Sequence, residues 1–70
     1  MTHAPYRREP YIRVLFPDGA VDAKAVAWTR VEVLAHWVVD GQHHEQWVPA
    51  NTVTRINRAD SSWQDPYDLT

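Results

Sequence analysis

The chain has 70 residues, a formal net charge of −2 and no cysteine, so one small core must fold without disulfides, and thiolate metal sites are excluded. Four tryptophans must carry much of the burial that so short a chain needs, or a partner chain must help. No apolar run reaches the roughly 18 residues that span a bilayer, and "MTHAPYRREP" lacks the apolar stretch of a signal peptide, which predicts a cytoplasmic protein with no membrane attachment.

The first periodic segment is "YIRVLF", residues 11–16, where Ile12, Val14 and Phe16 alternate with Tyr11, Arg13 and Leu15. Period two with β-branched and aromatic residues predicts a strand, and Pro17 to Gly19 stops it with turn chemistry. "AKAVAWT", residues 23–29, also suits a helix by its alanines, but it is short and runs at once into a further strand pattern, so a second strand is expected. "VEVLAHWVV", residues 31–39, is the strongest strand signal in the chain. The turn at Asp40 to Gln42 makes a hairpin, because glycine accepts the positive φ of a tight primed turn.

A fourth strand follows as "HHEQWV" and is expected to stop at Pro49, which cannot donate to a ladder. "PANT" fits one short helical turn before "VTRI" resumes as a fifth strand. Five short strands in under fifty residues predict an all-β, five-stranded small barrel, since rolling the sheet on itself covers its edges. The expected organisation is an N-terminal arm over residues 1–10, the barrel over 11–58 and an acidic, flexible tail over 59–70.

The segment "WVPANTV" resembles the last-turn signature of Src-homology-3-like barrels, in which an aromatic or glycine, an aliphatic residue, a proline, a small residue and an asparagine lead into the fifth strand. That resemblance implies a core role for Val48 and Val53 and a place at the edge of a peptide groove for Pro49 and Asn51. Thr52 stands where peptide-binding members carry a tyrosine. The upstream stretch "FPDGAVDAKAVAWTRVEVLAHW" is similar in layout to Tudor-type barrels. Together they imply a barrel architecture and a binding habit, and no particular ligand.

Candidate contact residues follow from alternation. Trp47 lies on the opposite face from Val48, and Trp47, Pro49, Asn51 and Arg55 are expected to point away from the core as a contact surface for a protein partner. Trp28 and Trp37 suit the core, with an aromatic wall shared with Trp47 as the alternative. In the tail, Trp63 and Tyr67 among acidic residues read either as a short docking motif or as a flap over the chain's own barrel. Arg7, Arg8, Arg13 and Arg55 would make a basic patch beside the first and last strands, the basis of an alternative nucleic-acid-binding reading.

Metal binding and cofactors are not expected. Adjacent His43 and His44 point to opposite faces of a strand and cannot both ligate one ion without a bulge. No nucleophile, oxyanion motif or glycine-rich phosphate loop accompanies Glu45 and His43, which predicts a non-enzymatic interaction module. Arginine outnumbers lysine six to one, which suggests a GC-rich genome, so an actinobacterial or phage accessory protein is expected. With no disulfide and an exposed edge strand, a homodimer is a further expectation.

Overall fold

The computed structural model describes residues 4–5 and 9–65. Strands β1 (Ala4–Pro5), β2 (Tyr11–Phe16), β3 (Gly19–Trp28), β4 (Glu32–Val39), β5 (Gln42–Pro49) and β6 (Val53–Arg55) are joined with two single-turn 3-10 helices, Ala50–Thr52 and Arg58–Asp60. Every pairing is antiparallel, and the main sheet runs in the order β5-β4-β3-β2-β6, with β1 lying against the end of β3. The all-β expectation holds in this coarser form.

The expected barrel is not closed. Among the described residues no ladder joins β5 to β6, and β6 has only three residues, all paired to β2. The chain leaves β5 through the Pro49 turn, where the Ala50 N–H donates to the Val31 carbonyl at 2.8 Å and the Thr52 hydroxyl donates to the Pro49 carbonyl at 2.7 Å. That geometry delivers the last strand to β2 and leaves β5 as an edge.

Local chemistry accounts for the hairpins. Phe16 pairs with Gly19 across a two-residue turn, and Val39 pairs with Gln42 across Asp40-Gly41. Asp40 and Gly41 have φ of 51° and 78°, the two positive values of a type I′ turn, whose twist matches that of the flanking strands. β3 begins four residues earlier than its alanine-rich half predicts, because the turn at Pro17-Asp18 registers Gly19 to Asp22 directly against β2. A register shift between Ala25 and Ala27 bulges β3 beside β4. Pro49 is the last residue of β5 and not the first beyond it.

One sheet face makes most of the core: Ile12, Val14, Ala23, Ala25, Val33, Ala35, Trp37 and Val48 are buried together, with Phe16, Val21, Ala50 and Val53 packed against them. Val14 and Val48 are the largest side chains with essentially no exposure. Three small buried residues on this side, Ala23, Ala25 and Ala35, leave room for the Trp37 indole, which meets Phe16 at a ring separation of 6.0 Å.

Candidate functional site

The second face of the sheet is polar, and strand register decides which of its residues meet. Tyr11 stands opposite Lys24, Arg13 opposite Asp22, Lys24 opposite His36 and His36 opposite Glu45. Residues directly opposed in an antiparallel pair share a face, so these side chains form one continuous band across β2 to β5.

Residues 61–65 lie over this band. The Asp65 N–H donates to the Tyr11 hydroxyl at 2.8 Å, and the Ser62 N–H donates to the Asp22 carboxylate at 2.7 Å. The Trp63 ring sits 6.2 Å from Tyr11 and 5.9 Å from His36. Its turn is held internally, since the Ser61 hydroxyl donates to the Trp63 carbonyl and accepts from the Trp63 N–H.

Beneath that segment Lys24 is 6 % exposed, its ammonium 3.2 Å from Asp65 and 3.4 Å from Glu9 and 5.6 Å from the Tyr11 ring centre. A buried ammonium needs compensating charge, and here two carboxylates from opposite ends of the chain and an aromatic face supply it. Next to it, Arg13 Nε donates to Asp22 at 2.7 Å. That bond, aided by the Ser62 N–H, holds the Asp22 carboxyl well below the usual range, at about 2, and the same partner raises the Arg13 pKa.

At the other end of the band, His36 Nε2 and His43 Nδ1 are 3.2 Å apart, and the second nitrogen of His36 lies 3.5 Å from the Glu45 carboxylate. His36 and His43 are diagonal neighbours across the β4–β5 hairpin, as the pairs His36–Glu45 and Val38–His43 require. His44 faces the other way, its ring stacked on Trp37 at 5.5 Å. The opposite orientations expected of His43 and His44 therefore hold, and His43 in addition meets His36, a contact that alternation within either strand does not reveal. A seven-residue separation around a two-residue turn was the signal for it.

The expected contact residues are dispersed. Trp47, opposite Leu34, is on the polar face and 36 % exposed, and Pro49 and Asn51 are exposed beside it in sequence. Arg55 was expected to point away from the core, but it pairs with Ile12 while Val53 pairs with Val14, so both sit on the core side of the sheet. Residues two apart in a strand share a face, and Arg55 is exposed only because β6 ends there at an edge. The three tryptophans of the strands form no common wall: Trp28 and Trp37 register on the core side and Trp47 on the other. Trp37 is buried as expected, whereas Trp28 is 41 % exposed at the end of β3.

Arg13 and Arg55 come together with Ile56, Asn57 and Asp60 around an open cleft of about 550 Å³. Arg13 is already engaged there by Asp22 and donates to the Asp60 carbonyl at 3.2 Å. Arg7, Arg8 and Tyr67 lie outside the described residues. Among the described residues no group of three or more histidines, cysteines or carboxylates converges, and no helix is long and apolar enough to cross a membrane. No family model matches this sequence, and comparison with curated proteins and with solved structures gives no match.

Proposed function

We propose that this chain is a non-enzymatic interaction module that binds a protein partner through the end of β5 and the turn after it. The observation that supports the reading is Trp47, an indole more than a third exposed on an edge strand, next to the exposed Pro49 and Asn51 of a rigid turn. Aromatic and proline surfaces lose little conformational entropy on docking, and β5, the edge of the sheet among the described residues, is where a further strand can be added. The strand order and the 3-10 turn between β5 and β6 are compatible with a Src-homology-3-like or Tudor-like chain path, the finer architecture to which we assign it. The same edge can pair with a second copy of the chain, so a homodimer belongs to this reading.

The test compares capture of partners from a lysate of the native host by the unaltered chain and by Trp47→Ala. A partner retained equally by both removes the reading. Light scattering on the same samples separates self-association from capture of another protein.

A second reading has its own support, since the open cleft brings Arg13 and Arg55 together. Nucleic acid would be bound there through phosphate contacts, with counterion release making affinity fall steeply with salt. Micromolar, salt-dependent binding of short oligonucleotides, weakened in Arg55→Ala, would favour it over the protein-binding reading.

A further inference from the structure

We propose that His36 and His43 form a two-imidazole chelate for a transition-metal dication of the zinc, nickel and copper class, on the polar face of the β4–β5 hairpin. The inference is independent of the partner reading above.

Spacing is the first argument. The facing nitrogens, His36 Nε2 and His43 Nδ1, are 3.2 Å apart, with ring centres 5.2 Å apart and planes tilted by 36°. Two imidazole nitrogens bound to one tetrahedral ion at about 2.0–2.1 Å stand about 3.3 Å from each other. Small rotations of the two rings therefore aim both lone pairs at one point, with no backbone movement. An ion held between them replaces this ring-to-ring contact, with each imidazole neutral and its N–H on the nitrogen that does not face the ion.

Orientation is the second. The Glu45 carboxylate lies 3.5 Å from His36 Nδ1 and favours the proton on that nitrogen, which leaves Nε2 as the lone pair facing His43. A carboxylate behind a ligating imidazole is the usual outer partner of a metal-bound histidine. The Lys24 ammonium opposite His36 is held by Glu9 and Asp65, which tempers its repulsion of a cation.

Rigidity is the third. His36 is only 20 % exposed in its side chain and packs at 5.9 Å from Trp63, while His43 is held by the short Asp40-Gly41 turn. Preorganised ligands lose less entropy on binding than mobile ones. Two imidazoles select borderline ions over magnesium or calcium, and water completes the coordination, since no third side-chain ligand converges among the described residues.

Titration calorimetry of Zn²⁺ and Ni²⁺ into the metal-free protein is the test. The expected result is saturable binding of a single ion, weakened at least about tenfold in His36→Gln and in His43→Gln and unchanged in His44→Gln, whose ring is on the opposite face. Glu45→Gln should weaken it about tenfold, the size of an outer-partner effect. His43 is exposed, so its variant reports on binding even if His36→Gln disturbs the fold. Cu²⁺ should quench the fluorescence of Trp63, and Trp63→Phe should remove that quenching while keeping the stoichiometry. Absence of saturable binding, binding that survives both histidine variants, or a loss in His44→Gln as large as that in His43→Gln would overturn the proposal.

Discussion

Asp22 stands directly opposite Arg13 in the β2–β3 ladder, and its carboxylate takes the Arg13 Nε–H at 2.7 Å while accepting the Ser62 N–H at the same distance. One side chain thus ties together two neighbouring strands and the segment that follows β6.

Acid stability follows from that arrangement. The Asp22 pKa is depressed to about 2 by the Arg13 bond, so the folded chain binds fewer protons than the unfolded chain and gains stability above the ordinary carboxylate range. That contribution is complete above roughly pH 4 to 5 and is lost as the pH falls toward 2. Thermal melts across this window should show a declining melting temperature, and Asp22→Asn should flatten the decline. An Asp22→Asn variant with an unchanged acid profile would show that the Arg13 pair is not coupled to folding.

The segment over the polar face has a separate handle in Tyr11 and Lys24. Tyr11→Phe removes the hydroxyl that accepts the Asp65 N–H and should cost about 1 kcal/mol. Lys24→Ala removes the cation that the Glu9 and Asp65 carboxylates share and should cost roughly 2–3 kcal/mol, less than for a fully buried pair because both carboxylates are partly exposed. Amide exchange at Ser62 and Asp65 should accelerate in both variants before the strands open. Equal protection of those amides in the altered and unaltered chains would rule out this coupling.

These two relationships mark where the sequence stops being legible. The alternation of Ile12, Val14 and Phe16, and of Val33, Ala35 and Trp37, reveals β2 and β4 and the face each buries, because period two is a local property. The Asp40-Gly41 turn is equally local. Lys24 reads in sequence as an ordinary surface cation, and its burial depends on Asp65, forty-one residues away, and on Glu9. The same holds for Trp63, whose place against Tyr11 and His36 is set by a non-local fold-back and by no pattern around it. Closure of the sheet was not legible either, because a three-residue last strand specifies a partner on one side only.

The β4–β5 hairpin should depend on Gly41 through backbone conformation alone. A Cβ at Gly41 meets nothing within 4 Å, yet its φ is +78°, a region that side chains disfavour. Gly41→Ala should therefore cost about 1 kcal/mol without any clash. Denaturant melts measure this directly, and Gly41→Asn, which tolerates the left-handed region better, should recover part of the loss. A larger loss for Asn than for Ala would refute the conformational explanation.

Trp47 and Val48 are neighbours on opposite faces, and their replacement should separate packing from surface. Val48 is 1 % exposed and packs in the cluster with Val33 and Trp37, so Val48→Ala removes two buried carbons and leaves a cavity that the sheet cannot fill. The expected cost is about 2–3 kcal/mol, which lowers the melting temperature of a chain this short by about 10 °C or more. Val48→Asp should not fold at all, since an unpaired charge in this core exceeds a total stability of order 5 kcal/mol. Trp47 is 36 % exposed, and water can occupy the space its ring leaves, so Trp47→Ala removes far more atoms yet should lower the melting temperature less than Val48→Ala. A larger drop for Trp47→Ala would place its ring among the residues that hold the sheet together, and the end of β5 would lose its standing as a contact surface.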